Sequence, residues 1–416
     1  MVSNFRFLNP ISAKQQLLIN KSIILNYLRE NSLVSRAKIA KELKISPPTV
    51  SRIIDEFIIE GFVTEMGKDQ STGGKKATKL GFNTNSGSVI GVDLGKDKIR
   101  IARSDMGGKI LEKHVGFEIH IKDKDLLEKV IRAIQVFISD AESSLSGNDI
   151  KLKGICVGLP ADIDSESGII LSAPLFPGWK DLNLKEIFSR YFNTKLFIEN
   201  SKNMSAIGEK YLGGGKSYKN SVILEVGEGI GAGIVIDDQL YKGSSFSAGE
   251  VGFVIENKKQ LYSTYKIKGA MEKSASPNVL KRDILKVIGS NKKTLVTELV
   301  SNNLSKINPA IVCEAALLGD DASKKIIKDV VENLSIIVSN LILILNPEII
   351  VIGGDILEMP EVEKLFIDPI RVLTKNVIPF SLPAIKKASL GVDAGVLGCS
   401  IFAINNILGT LYPYKI

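Results

Sequence analysis

Thr49, Ser51 and Arg52 stand within four positions near the start of the stretch SPPTVSRIIDEFIIEG. Short hydroxyls beside a guanidinium suit base edges and phosphates in a DNA major groove. Ser46 opens the same stretch, and Arg36 is a further candidate cation upstream. Lys75 and Lys76 follow in a Gly-rich tip, where two cations can reach the minor groove or the phosphate backbone. The charge is placed to match. Residues 1–83 hold thirteen Lys and Arg against seven Asp and Glu, so they carry +6 of the chain's net +8. A basic end on a near-neutral body points to a nucleic-acid-binding module attached to something else.

The elements that must position these residues can be read from the apolar spacing. INKSIILNYLRENSLV places Ile23, Ile24, Tyr27 and Leu28 on a helical face. In SRAKIAKELKI, Ser35 is a natural N-cap, and Ala37, Ile39, Ala40 and Leu43 supply the inner face. A turn at Lys44 and Ile45 leads to a third helix. Ser46 is its expected cap, Pro47 and Pro48 fit its first turn, and Gly61 fits its stop. Val50, Ile53, Ile54, Phe57 and Ile58 face inward, which leaves Thr49, Ser51 and Arg52 outside. Phe62–Glu65 and Thr78–Phe82 then read as the strands of a β-hairpin wing. A structural three-helix bundle would share the apolar pattern. The order of elements, the outward polar residues and the local charge favour a winged helix-turn-helix that binds DNA.

A chain of 416 residues with 44% hydrophobic and 24% charged content has room for two or three globular domains. Cys156, Cys313 and Cys399 fit no disulfide or metal spacing and read as buried reduced thiols, as in a cytosolic protein. His114 and His120, six apart, are expected on one strand face with no third ligand beside them. MVSNFRFLNP lacks the apolar core of a signal peptide. The most apolar region, Leu334 to Gly354, is broken by Asn340, Asn346, Pro347 and Glu348. It reads as a buried helix, a turn and a buried strand, since a membrane helix needs about 20 apolar residues in one run. The expected setting is the cytoplasm, without membrane attachment.

NTNSGS, Asn83 to Ser88, resembles a linker. Beyond it, VIGVDLGKDKIRIARSDMGGKILEKHVGFEI gives three strand-like runs. DKDLLEKVIRAIQVFISDA gives an amphipathic helix with Leu126, Leu127, Val130, Ile131, Ile134, Phe137 and Ile138 inward, and LKGICVGLP a buried strand. The order β-β-β-α-β begins again at Ser221 to Gly243. Two such halves around a cleft describe an α/β, two-lobed, actin-like (ribonuclease H-like) nucleotidase fold, in which facing Gly turns hold nucleotide phosphates by backbone N–H groups. The expected division is 1–83 for the winged helix, 84–198 with 390–416 for lobe I, and 199–389 for lobe II.

The chain resembles the ROK family, which groups repressors and sugar kinases. SRAKIAKELKISPPTVSRIIDEFIIEGFV with STGGKKATKL resembles the winged-helix half of the family's repressors. GVDLG, GLPADID, SAPLFPGW, IEN, GIGAGIVIDDQLYKGSSFSAGEVG, NPEIIVIGGDIL and DAGVLG follow the kinase-like half in order. By this resemblance Asn200, Glu250 and Glu272 fall where the family hydrogen-bonds sugar hydroxyls, and Ser201 lies among them. Carboxylates and amides suit that task because they accept from paired hydroxyls.

The departures from the family pattern carry most of the functional information. Ser201 stands where the kinases have the Asp that deprotonates the sugar; such a base contributes roughly 10²–10⁴-fold. Glu199 is adjacent, but a strand neighbour points to the opposite face. The first phosphate turn runs Asp93-Leu94-Gly95-Lys96-Asp97, with a side chain at the second Gly and an acid at the Thr. In the second turn, Glu228 replaces a hydroxyl; two like charges about 4 Å apart at an effective dielectric near 20 repel by about 4 kcal/mol. Phe253, Ser263, Tyr265 and Ala270 stand at the family's zinc ligands, so no structural zinc is expected. Phe253 also replaces a sugar-contacting His, Leu175 stands where Asn is frequent, and Lys202 leaves room for an acidic ligand.

The resemblance therefore implies a regulator, most simply a repressor, with no catalytic residue, cofactor or metal. Its partners would be double-stranded operator DNA and a sugar or sugar-derivative effector, and its assembly a homodimer or homotetramer on a pseudo-palindromic site. Two rivals stand beside it: a bifunctional ATP-dependent sugar kinase, and a DNA-binding protein with no effector.

Overall fold

The computed structural model describes residues 12–409, save 32, 69–76, 96–97, 121–122, 124, 145–150 and 266–267. Three helices open the described chain: α1 (Ala13–Glu30), α2 (Arg36–Leu43) and α3 (Pro47–Ile59). Ser12 caps α1 in a reciprocal box with Gln15, and the Ser35 hydroxyl accepts from the Lys38 N–H at 3.3 Å to start α2. Lys44, at φ +54°, ends α2. Pro47 and Pro48 set the first turn of α3, and Gly61, at φ +78°, follows its end. Ser46 precedes α3 as expected, but its hydroxyl meets the Thr49 hydroxyl at 2.7 Å and caps no backbone N–H. Ala37 is exposed; Ile39 and Ala40 carry the buried face of α2. The wing is β1 (Val63–Lys68) paired antiparallel with β2 (Thr78–Phe82), and Val34 bridges to Leu80 at its edge.

The expected linker is docked. Asn83 donates its amide to the Gly61 carbonyl at 2.9 Å, Thr84–Ser86 form a 3₁₀ turn whose Thr84 carbonyl accepts from the Met106 N–H, and Ser88 already belongs to the next strand. The Lys153 ammonium sits 4.1 Å from the centre of the Phe62 ring across the same junction.

Lobe I holds β3 (Ser88–Leu94), β4 (Lys98–Asp105), β5 (Ile110–Glu118), α4 (Leu126–Ser144), β6 (Leu152–Leu159), the hairpin β7 (Asp162–Asp164) and β8 (Ile169–Ser172), α5 (Leu184–Ser189) and β9 (Lys195–Asn200). Its sheet runs β5-β4-β3-β6-β9. β5 ends at Glu118, so His120 lies beyond the strand that carries His114, and the two share no strand face.

After α6 (Ser201–Leu212), lobe II repeats the plan with β10 (Ser221–Val226), β11 (Ile230–Ile236) and β12 (Gln239–Tyr241). The helices α7 (Ala270–Ala275), α8 (Asn278–Gly289), α9 (Leu295–Leu299), α10 (Pro309–Leu317) and α11 (Asp321–Leu345) come next, then β13 (Ile349–Gly353), α12 (Asp368–Val377) and β14 (Ala384–Lys387). Its sheet runs β12-β11-β10-β13-β14. In each half a central strand pairs antiparallel with its successor and parallel with a strand after a helix: β3 with β4 and β6, and β10 with β11 and β13. The apolar run from Leu334 divides as expected into the end of α11, a turn at Asn346 (φ +44°) and the buried β13.

α13 (Ala394–Leu408) returns to lobe I. With the turn before it, Gly391–Leu408 is long and apolar enough to cross a membrane by composition, yet 67% of that run is buried inside the protein. α13 packs on α6 where the two lobes join. A Cβ at Gly398 would lie 1.7 Å from the Met204 carbonyl oxygen, and one at Gly208 would lie 2.3 Å from that of Ala394. The backbones touch directly, which only Gly permits. The core of the winged helix is continuous with this crossing: Ile24, Leu25 and Leu28 share a cluster with Ile401, Phe402 and Ile404.

Gly398→Val must push the two helices apart. It should lower unfolding stability by about 3 kcal/mol or more. Gly289→Ala, where an added Cβ meets nothing within 4 Å, should leave it within about 1 kcal/mol. Urea unfolding of both variants checks this, and equal stabilities would refute the close crossing.

Candidate functional site: an interlobe cleft and a helix-turn-helix face

Between the lobes lies a cleft of about 960 Å³. Its floor is where β9 gives way to α6. Asn200 is the N-cap: its side-chain oxygen accepts from the Lys202 N–H at 2.8 Å, and its amide donates to the Ala161 carbonyl at 2.9 Å. One side chain thus starts α6 and fixes the loop after β6. Ser201, the first residue of α6, is half-buried and lines the cleft. Glu199 does point away, as alternation requires. It is buried and ion-paired with Lys242, whose ammonium also donates to the Ser165 hydroxyl at 3.1 Å.

Glu250 and Glu272 both reach the cleft but differ in state. The Glu250 carboxylate is half-buried and pairs with the Lys202 ammonium at 2.9 Å. Glu272 is buried, and its two oxygens accept from the backbone N–H groups of Ile230 at 3.0 Å and Gly269 at 2.9 Å. It therefore braces the second Gly turn, with its remaining lone pairs toward the cleft. Asp162, which carries no sequence signal beyond the GLPADID motif, lies beside this pair. Burial raises its carboxyl above the ordinary range, Glu250 raises it further, and Lys202 lowers it.

At the other end of the cleft the Gly turns face each other. Asp93, at the end of β3, is paired with the Arg100 guanidinium at 3.6 Å. Arg100 sits directly across from it in the β3–β4 register, a pairing that only the register reveals. Burial pushes the Asp93 carboxyl up to about 6, against the opposing pull of Arg100. Glu225, on β10, is pushed up to about 7, first by burial and then by the carboxylates of Asp93, Glu209 and Asp355. Glu228 lies 3.7 Å from the Lys268 ammonium. Lys96 and Asp97 lie outside the described residues. Among the described residues, no group of three or more His, Cys, Asp or Glu could hold a metal ion. Of the positions tied to zinc, Phe253 is 39% exposed, Ala270 is buried, and the Tyr265 ring carries the Lys273 ammonium at 4.8 Å.

On the winged helix, Arg52 is exposed on α3, with Thr49 and Ser51 half-buried beside it. Arg36 is held by the protein's own acids, Asp55 at 2.7 Å and Glu65 at 3.5 Å, so it stands apart from that trio in state. Lys75 and Lys76 lie outside the described residues. The sequence reading missed Arg29. Its guanidinium leaves α1 to donate to the Asn405 side chain on α13 at 3.1 Å. A cation beside Leu28 in a helix end carries no sequence signal for a partner 376 positions away.

Residues 89–406 match the model of the ROK family, and residues 19–64 match a winged helix-turn-helix DNA-binding model. The chain is 33% identical over 395 residues to a xylose repressor of Caldicellulosiruptor bescii, covering 94% of this chain and 96% of that one. It is 30% identical over 318 residues to a glucokinase of Thermotoga maritima, covering 75% of this chain and 96% of the kinase. In shape it is similar to a ROK family transcriptional regulator described as a homologue of the Escherichia coli MLC protein, with TM-score 0.81, 22% identity, and coverage of 95% and 98% of the two chains.

The raised carboxyls make stability depend on pH. Glu225 and Asp93 ordinarily titrate at 4.5 and 3.8, and in the fold at about 7 and about 6. At these two sites the folded chain binds more protons than the unfolded chain between these values, so their contribution to stability is fully present below about pH 4 and is lost as pH rises toward 7. Glu225→Gln should stabilise by about 1–3 kcal/mol at pH 8 and by much less at pH 4. Melting curves at both pH values decide it; an equal change at both would refute the burial of this carboxyl.

Proposed function

This chain belongs to the ROK family, and from that premise we propose that it is a sugar-responsive transcriptional repressor whose kinase-like cleft senses an effector without catalysing phosphoryl transfer. The observation that carries the proposal is a continuous path through α13. The 3₁₀ turn Gly391–Asp393 that leads into it and Gly395 in its own first turn form a cleft wall, and its far end holds Arg29 of the winged helix through Asn405. Gly395 and Asn405 are about 15 Å apart at 1.5 Å per residue. A ligand that draws the lobes together moves both ends of one rod. Repression is relieved when the ligand favours the closed, weak-DNA form by a few kcal/mol.

Several features support a sensor that is not a kinase. Ser201 stands at the base position, and Glu199, the adjacent carboxylate, is tied to Lys242 on the far side. The phosphate turns fit a nucleotide poorly. The Arg100 guanidinium occupies Asp93, which in this fold would face a nucleotide's metal, and Glu228 adds a carboxylate to the second turn. Zinc ligands are likewise absent from Phe253, Ser263, Tyr265 and Ala270, whose side chains suit packing and solvent.

In this reading residues 1–83 form the DNA-binding domain, 84–200 with 390–416 lobe I, and 201–389 lobe II, a boundary two residues later than the sequence suggests because β9 runs to Asn200. Thr49, Ser51 and Arg52 meet operator DNA. Ser46 orients Thr49, Arg36 shapes the α2–α3 face through Asp55, and Lys75 and Lys76 are assigned to the DNA from the sequence alone. Asn200, Ser201, Glu250 and Glu272 meet the sugar. A cytoplasmic homodimer or homotetramer on a two-fold site follows from the same logic.

Arg52→Ala should weaken binding to operator DNA by about 1–3 kcal/mol at fixed salt; an unchanged isotherm would remove α3 from the groove. The wild-type chain should release no ADP from magnesium-ATP in the presence of D-xylose, D-glucose or N-acetyl-D-glucosamine. Sugar-dependent ADP formation would establish the bifunctional kinase instead.

A further inference from the structure

Lys202 is the residue of the cleft for which neither the family pattern nor the fold gives a purpose. Its side chain does not extend into solvent. It lies flat across β11, where a Cβ at Gly231 would come within 2.3 Å of its Cδ and 2.4 Å of its Nζ. The ammonium ends 2.9 Å from Glu250, and Asp162 stands within its field on the other side. Among the described residues lining this half of the cleft, the cations are Lys202 and Lys268, against the carboxylates of Asp162, Glu228, Glu250 and Glu272. Lys268, next to the Gly269 that donates to Glu272, already meets Glu228, and the cleft's other described cations, Lys98 and Arg100, lie on β4 beside the first phosphate turn, where Arg100 meets Asp93.

We infer that Lys202 is the specificity-determining residue of the effector site, and that the site selects neutral polyhydroxylated sugars. The inference rests on the reading of this cleft as a sugar sensor. A lysine already held by protein carboxylates gives an incoming anion no free countercharge. The four carboxylates exceed the two cations by two charges, so a sugar acid or sugar phosphate meets net repulsion. Neutral hydroxyls do not. They donate to the carboxylate lone pairs that Lys202 leaves open, and the ammonium has further donors for a sugar oxygen. The same arrangement reserves a cation position for the protein's own side chain. Once that side chain is removed, a ligand that brings its own ammonium takes its place.

The test is calorimetric titration of the full chain with D-xylose, D-glucose, N-acetyl-D-glucosamine, D-glucuronate, D-glucose 6-phosphate and D-glucosamine. At least one neutral sugar should bind, and the two acidic ones should bind at least about tenfold more weakly than the best neutral one. Tighter binding of either acid overturns the inference while leaving the sensor standing. Binding of no sugar in any charge class removes the sensor reading itself, and with it this inference. In Lys202→Met the preference for D-glucosamine over D-glucose should rise about tenfold, and Lys202→Arg should restore the wild-type ratio. Gly231→Ala, which displaces the lysine without deleting it, should shift the ratio in the same direction as Lys202→Met. An unchanged ratio in both Lys202→Met and Gly231→Ala overturns the assignment.

Discussion

The structure depends on the crossing of α6 and α13. Two β-sheets of like plan are joined by these helices, and the helices meet backbone to backbone, at Gly208 on Ala394 and at Gly398 on Met204. Contacts this close are stiff. A packed interface of that kind shifts between discrete arrangements and does not bend smoothly. The cleft opens at the start of each helix, with Asn200, Ser201 and Lys202 on α6 and Gly395 on α13. The buried Glu209 fastens the other end of α6, accepting from the N–H groups of Ser389 at 2.9 Å and Leu390 at 2.7 Å just ahead of α13.

The winged helix is built onto this frame. Its α1 shares the apolar cluster of α13, Arg29 reaches Asn405, and the segment from Asn83 to Ser88 is held at both ends. A reader so mounted follows α13. Family membership supplies the kinase frame, and the changes within it are consistent with one another. Ser201 opens α6 at the cleft floor, and the phosphate turns carry Arg100 against Asp93 and Glu228 beside Lys268. Lys202 fills a cation position between acids. These changes fit the proposed sensor, which keeps a cleft for a small polar ligand without phosphoryl transfer.

Much of this was legible in the sequence because it rests on local rules. The three helices of the reader follow from apolar spacing, Ser35, Pro47 and Gly61. The repeated strand order follows from two Gly turns of similar context. The break at Asn346 and Pro347 separates α11 from β13 without ambiguity. What escaped depends on distant partners. Ser46 looked like a cap because its type and place are right, but Thr49 offers its hydroxyl a nearer partner. Ala37 fell on the apolar spacing, yet a methyl near the outer edge of a two-turn helix need not be covered. The His114 and His120 spacing assumed a strand that ends at Glu118. Arg100 on Asp93, Asp162 beside Glu250 and Arg29 on Asn405 are set by strand register and by helix docking, which no single stretch encodes.

The most direct test of the account is whether a sugar changes DNA affinity. Duplexes selected from a random pool by the full chain would be titrated with the protein at fixed salt, with and without a saturating neutral sugar that binds the chain. The account predicts a duplex with two related half-sites whose affinity falls at least about tenfold with the sugar, a coupling of about 1.4 kcal/mol or more. Identical isotherms with and without the bound sugar would contradict it, because the cleft and the reader would then be joined in structure but not in energy.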